Sequence, residues 1–546
     1  MKFMRNIFPA GTFLAGTFPA WTFSAWAMTA AILAMTGTAR AAGPQGTIYQ
    51  FAVPKQGSMY ADAAYYCWLP TGVETLRAII VHQHGCTREG DAQQMMTDLQ
   101  WISLAKKWHA VFIAPKLITG GPGSGSTTCD NWDKIANGSG NTFLAALDTL
   151  ARRAAHPEIK IVPWALWGHS GGSMWITAMA GKYPERVAVG VAEACGTEIS
   201  NVPAALRVPI LHHNGKADMC YNDTYFANGR SKGALWAHAV NPNPLWVNTP
   251  SNPGWSDEVF GHAPHDLRMI AIPWIEAGLA ARLPQEAGSG QLKDMDTSGA
   301  WLGDKASRAI APAAAFAGDK LAACWLPDPA FASKWAEYME KGTLNDTSGP
   351  PAPVNLTGVY GNKQVTLKWD ADADLESGIK TFIIHRNGAV YNTLKFTGAT
   401  FFTMEQGFQR WQDGDQPSPA QAPAMTFTDN GLNDTATYTY QISTVNWSNV
   451  SGPKSAVLTL KRGLVTGLTG SPRPGTSSQM AGPRQSLLAC GEPGSCNAKL
   501  SAGTTGIYDL QGSLLRRVVS GHEEIRDIGA LLGAGAPRMV LIRTGQ

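Results

Sequence analysis

No acidic residue occurs before residue 42 of this 546-residue chain, and Lys2, Arg5 and Arg40 are the only basic ones there. Taking those three from the 44 Lys and Arg leaves 41 basic against 41 acidic residues. The rest of the chain lacks the positive excess that nucleic acid or an anionic membrane attracts, so neither is expected as a partner. Charged residues in all are only 16%; with Gly, Pro and Trp abundant, the composition excludes a disordered or fibrous class. Beyond the leader no run is apolar for long enough to span a bilayer. The eight cysteines include no C-x-x-C pair, which removes the usual zinc-ligand spacing. An even count points instead to disulfides formed in an oxidising compartment. No metal and no cofactor are expected.

What is present begins with a leader. Residues 1–41 read as a secretory signal: Lys2 and Arg5, an apolar stretch to Met35, then Ala39-Arg40-Ala41 as an A-x-A cleavage site. It is long and carries the repetitive GTFLAGTFPAWTF, so a retained membrane anchor is the competing reading. Either way the expected location is secreted or cell-surface. The length implies two to four folded units.

Residues 42–285 alternate short apolar runs (GTIYQFAV, MYADAAYYCWL, RAIIVHQHG, AVFIAPKL, IVPWALWGHS, VAVGVAEACG, PILHHNG, LWAHAV) with helix-periodic segments such as NTFLAALDTLARRAA. Two early strands followed by βα units describe an α/β fold with a mostly parallel sheet and helices on both faces, the layout of an α/β-hydrolase. Residues 286–349 form an extension with one amphipathic helix in LPDPAFASKWAEYMEKG. Residues 350–462 turn to short alternating strands, an all-β sandwich. Its Pro-rich start, Trp369 and the Tyr438-x-Tyr440-x-Ile442 run resemble a fibronectin type III domain, with Tyr438 at the tyrosine corner. The long stretch FTMEQGFQRWQDGDQPSP reads as a solvated insertion. A Gly/Ser/Pro-rich linker is expected over 463–500, with Cys490 and Cys496 closing a small loop. The end, 501–546, resembles the C-terminal sorting segments of type IX-like export, which implies secretion machinery as a partner.

The chemistry centres on Gly168-His169-Ser170-Gly171-Gly172. An apolar strand feeds this G-x-S-x-G and a helix leaves it, the context of a nucleophile elbow. Side chains at the flanking glycines would collide with the neighbouring strand and helix. A serine needs a base and an orienting acid, which in this fold follow in the order Ser, Asp, His. Asp218, just past PILHHNG, is the chosen acid and Asp223 its rival. His262 before a long amphipathic segment is the chosen base. His265 is the alternative, and also a substrate-binding candidate. The N–H of Gly171 and that of Cys86, in His84-Gly85-Cys86, are the expected oxyanion donors. His82 and His84 read as holding that loop; a metal site of His82, His84, His212 and His213 lacks a carboxylate or further ligand at suitable spacing.

HGCTREG, AKKWHAVFIAPK, TTCDNW and the elbow together resemble secreted esterases of the polyhydroxybutyrate depolymerase and feruloyl/acetylxylan esterase group. That resemblance implies a disulfide between Cys86 and Cys129. Cys195 and Cys220 follow adjacent strands and make a second candidate bridge, leaving Cys67 with Cys324. The chain departs from the group at His169, where Leu is more usual, and in the insertion NPNPLWVNTPSNPGWSDEVF. His169, Trp246 and Trp255 are therefore substrate-binding candidates. The implied function is hydrolysis of esters on an extracellular polymer, plant cell-wall polysaccharide before bacterial polyester. A surface adhesion protein with a degenerate hydrolase domain is the alternative of another class.

Overall fold

The computed structural model describes residues 39–43, 45–86, 91–120, 132–215, 222–242, 264–394 and 425–462, and the strands at 464–466, 485–489, 498–499, 503–508, 514–520, 524–525 and 539–544. Residues 1–38 of the leader, Cys129, Asp218, Cys220, Trp246, Trp255, His262, Cys490 and Cys496 lie outside them, as does the insertion that follows residue 394.

From MYADAAYYCWL to LWAHAV the apolar runs become strands because most of their residues are buried on both faces, whereas GTIYQFAV ends in alternating buried and exposed residues. In chain order the strands of the sheet are β1 (Ala39–Gly43), β2 (Gly46–Val53), β3 (Ala63–Pro70), β4 (Ala78–Gln83), β5 (Ala110–Lys116), β6 (Trp164–His169), β7 (Val187–Glu193), β8 (Ile210–Gly215) and β9 (Trp236–Asn241). They form one sheet of order β1-β2-β3-β5-β4-β6-β7-β8-β9. The hairpin β2–β3 and the β3–β5 pair are antiparallel, and every pair from β5 through β4 to β9 is parallel. Parallel neighbours need crossovers, and helices supply most of them: α1 (Asp91–Gln94), α2 (Leu99–Lys107), α3 (Ser139–Ala154), α4 (Gly171–Lys182) and α5 (Asn222–Arg230), with α6 (Pro264–Arg282) following the last strand. This is the mostly parallel α/β sheet expected from the sequence. No described helix is long and apolar enough to cross a membrane.

The extension packs into the same core. Its strands β10 (Trp301–Gly303), β11 (Ile310–Pro312) and β12 (Cys324–Leu326) make a small sheet, and α7 (Pro329–Lys341) lies against β9. Trp335 donates its indole N–H to His238 O at 2.8 Å, and Phe331, Trp335 and Tyr338 are buried with the main core. Asp328 caps α7 by accepting from Phe331 N–H at 2.7 Å.

One expected pairing is corrected. Cys67 and Cys324 are free, buried thiols. Cys67 is on β3, whereas Cys324 Sγ lies 3.3 Å from His238 N on β9. Six strand spacings separate β3 from β9, roughly 29 Å at the usual interval and far beyond disulfide reach. Burial raises both thiols, Cys324 to about 12.

Downstream, β13 (Val354–Tyr360), β14 (Gln364–Asp370) and β17 (Thr426–Asn430) form one antiparallel sheet; β15 (Thr381–Arg386), β16 (Ala389–Thr393), β18 (Thr437–Val445), β19 (Leu458–Lys461) and β20 (Leu464–Thr466) form another. Leu367, Trp369, Phe382, Ile384, Tyr440 and Ile442 share their core. Tyr438 OH accepts from Asn433 N–H at 2.9 Å, the bond a tyrosine corner makes. Within 463–500, Gln485–Ala489 is a strand that pairs with Met539–Thr544.

The turn after β14 docks on α2. Ala373 N–H donates to Ser103 Oγ at 2.7 Å, Gln100 Nε2 to Leu375 O at 3.0 Å, and Lys106 pairs with Asp372 at 2.5 Å. Behind it, Asn446 Nδ2 bonds the carboxylates of Asp346 (2.8 Å) and Asp374 (2.7 Å). Burial raises Asp374 to about 8, with Glu376 hydrogen-bonded to it. Its folded pKa thus exceeds the unfolded value of about 4. The stabilising proton is held in full below that value and lost as pH rises through 8. Tm is expected to fall between about pH 4 and 8 through this group and to level off above that, and Asp374→Asn to flatten that slope in thermal melts.

Candidate active site

The elbow is built by close approach of main chain. β6 is buried throughout; the chain then turns at Ser170 with φ 51 and ψ −118, and α4 begins at Gly171. A positive φ in a non-glycine residue costs about 1–3 kcal/mol and persists only where its surroundings impose it. Here Ser170 N–H donates to Glu193 O at 2.8 Å, while Ser170 O accepts from Ser173 N–H (2.9 Å) and Met174 N–H (3.2 Å). The glycines are needed for space. A Cβ on Gly168 would lie 2.4 Å from Gly172 O, and one on Gly172 would lie 2.4 Å from Gln83 O and 2.6 Å from His84 O. Those obstacles are backbone and yield little. Gly172→Ala is expected to cost about 1–3 kcal/mol and to push away the loop after β4, so that Tm and kcat fall together.

That loop touches the elbow. A Cβ on Gly85 would meet Ser170 Cβ at 3.4 Å and His169 Nδ1 at 2.9 Å. His84 fixes the loop: Nε2 accepts from Leu117 N–H at 3.0 Å, which leaves Nδ1 to donate to Gly85 O at 2.5 Å. Cys86 follows and is disulfide-bonded, as is Cys195 after β7; their expected partners are outside the described residues. Gly171, at the first position of α4, has an N–H that no helix carbonyl can take, and the positive end of the helix lies there.

The other residues singled out from sequence are spread along the carboxyl edge of the sheet. His169 ends β6, buried against Gly85. His82 stacks on Trp167 at 4.3 Å with Trp101 edge-on at 5.5 Å, and burial followed by the charge of Arg268 holds its pKa well below the ordinary value. His212 packs on Trp236 at 5.2 Å, and burial lowers it to about 3. Among the described residues no group of three His, Cys, Asp or Glu is placed to hold a metal ion. Asp223, in the first turn of α5, is engaged: its carboxylate lies 2.9 Å from His238 Nδ1 and pairs with Lys305. Those bonds, His238 foremost, hold it well below the usual carboxylate range. His265 is the second residue of α6.

Sequence reasoning missed four participants. Arg268 on α6 is buried in a two-pronged pair with Asp98, at 2.9 and 2.6 Å, and Asp98 also caps α2 by accepting from Gln100 and Trp101 N–H. Glu193 and Tyr338 flank His213 in a buried chain. The lone acid in VAVGVAEACG was the available signal for Glu193.

The chain matches no protein family and no curated protein by sequence. Among solved structures it is similar to a thermostable esterase (TM-score 0.29, 16% identity, 39% of this chain and 58% of that one). It is similar also to a cold-adapted esterase from an Arctic intertidal metagenomic library (0.28, 16%, 38% and 88%) and to a ferulic acid esterase (0.27, 13%, 36% and 90%). It spans less than two thirds of the first of these, and likenesses this slight add nothing to the geometry above.

Proposed function

We propose that this chain is an exported serine esterase acting on esters of an extracellular polymer, acetyl or feruloyl groups of plant cell-wall polysaccharide before polyhydroxyalkanoate. The observation that carries the reading is Ser170, held at positive φ between a buried strand and a helix N-terminus, with Gly85 of the His84-Gly85-Cys86 loop against its Cβ. Asp218 follows the carboxyl end of β8, and His262 lies between β9 and α6. That chain order is the one the chemistry requires.

In this reading Ser170 Oγ attacks the ester carbonyl carbon while His262, oriented by Asp218, takes the hydroxyl proton. The N–H groups of Gly171 and Cys86 receive the tetrahedral oxyanion. Collapse expels the alcohol, which leaves with the proton from His262. Water then attacks the acyl-enzyme, again giving its proton to His262, and the acid departs with Ser170 restored. His169, Trp246, Trp255 and His265 are assigned to substrate. Bridges Cys86–Cys129 and Cys195–Cys220 would brace the oxyanion loop and the Asp218 loop; disulfide-bonded Cys86 and Cys195 support an oxidising compartment. The sandwich is assigned as fibronectin type III-like and the C-terminal strands as a sorting segment.

Product analysis after incubation with acetylated xylan, feruloylated arabinoxylan and polyhydroxybutyrate tests the substrate. Release of acetate or ferulate alone supports the polysaccharide reading, and hydroxybutyrate alone replaces it. A fluorophosphonate that fails to label Ser170 in folded protein, with no product from any polymer, would leave the adhesion reading.

A further inference from the structure

Glu193 does two jobs at the end of β7. Its main-chain oxygen accepts from Ser170 N–H at 2.8 Å and also from Ser173 Oγ. Its side chain pairs with His213 Nδ1 on the adjacent strand, both side chains wholly buried. On the far side of the ring, His213 Nε2 lies 2.8 Å from Tyr338 OH, which accepts from Asn241 Nδ2 at 3.2 Å. Asn241 is the last residue of β9 and also donates to Gly342 O at 3.0 Å, just past α7. His213 O in turn accepts from Ala194 N–H at 2.7 Å and from Asn222 Nδ2 at 3.3 Å. Through its ring, its main-chain oxygen and the Tyr338 hydroxyl, His213 therefore ties together the ends of three parallel strands, the start of α5 and a helix from the extension. A buried polar chain of this kind is a poor source of net stability. Its fixed geometry is what matters for a site where small displacements are costly.

We propose that His213, clamped between Glu193 and Tyr338, is a positioning residue of the nucleophile. It holds the Glu193 peptide that imposes the Ser170 backbone conformation, so that α7 sets the aim of the serine from outside the parallel sheet. This rests on the esterase reading above. Tyr338 is the lever for testing it, because Tyr338→Phe deletes one hydroxyl and keeps the packing.

The full-length chain and its Tyr338→Phe, Glu193→Gln and Glu193→Ala variants are assayed on p-nitrophenyl acetate, with active sites counted by phosphonate titration. Tyr338→Phe is expected to lower kcat per titrated site about tenfold with KM within about twofold. Glu193→Gln, which keeps an acceptor for His213, should recover most of the activity that Glu193→Ala loses. Wild-type kcat per titrated site in Tyr338→Phe, with only Tm reduced, would overturn the proposal. If Glu193→Ala does not fold, Tyr338→Phe decides alone. Should the wild type neither hydrolyse the ester nor take the phosphonate, the esterase reading fails by itself. The positioning claim is then judged by hydrogen exchange of the peptide 168–174: faster exchange in Tyr338→Phe supports it and unchanged exchange refutes it.

Discussion

Replacing Ser170 with Ala should lower kcat on a short p-nitrophenyl ester by roughly 10⁴–10⁶-fold, the scale seen when an acyl-transfer nucleophile is removed. Replacing it with Gly should be equally inactive yet more stable. Ser170 sits at φ 51, a conformation that glycine adopts freely and other residues adopt at a cost. Ala retains that strain and Gly releases it, so Ser170→Gly is expected to exceed Ser170→Ala by about 1 kcal/mol. Steady-state hydrolysis and thermal melts of the two variants read both effects. An Ala variant with most of its activity intact would remove Ser170 from the chemistry. Equal melting of the two would show that the surroundings impose no strain there.

The second large effect is on stability. Asp98→Ala is expected to cost about 3–5 kcal/mol, because it strands a buried guanidinium without its carboxylate. The reverse deletion is milder. If Arg268 becomes Met, Asp98 keeps the N–H groups of Gln100 (3.1 Å) and Trp101 (3.3 Å) at the start of α2. The side chains are 3% exposed each, so little screening by water softens the difference. Denaturant melts should therefore rank Asp98→Ala well below Arg268→Met. Activity should fall in both, since Arg268 stands about one turn beyond the start of α6, which follows the segment holding His262. Equal losses would mean that the buried charge finds another partner.

Much of the fold was readable in the chain because its signals are local. Eight apolar runs gave eight strands, since a parallel strand buried on both faces has to be apolar along its length. The elbow was readable for the same reason: two glycines and a serine within five residues meet their constraints within one strand and the helix after it. The pairing of Cys67 with Cys324 failed where the information is not local. A buried free cysteine behaves as a small apolar side chain, and nothing in the count of eight says that one of them sits on β3 and the other against β9, six strands away. The Glu193–His213–Tyr338 chain was hidden likewise. Its members lie on two strands and a helix that only the folded topology brings together, and Tyr338 is 125 positions from His213. The extension looked weakly patterned because its three strands have three residues each, too few for any period to show.

The packing of α7 on β9 also governs where this protein can be cut. Trp335 covers His238 from 97 positions downstream, and Met339 Sδ accepts from Val240 N–H at 3.0 Å. A nascent chain that has just released β9 therefore carries an uncovered apolar strand at the margin of its sheet, the kind of surface that pairs with other chains. A truncation ending near residue 285 would retain every residue assigned to the chemistry and still yield a sticky, unfinished fragment. The shortest self-sufficient form of this α/β unit has to run past Leu344, which is itself buried in the same core.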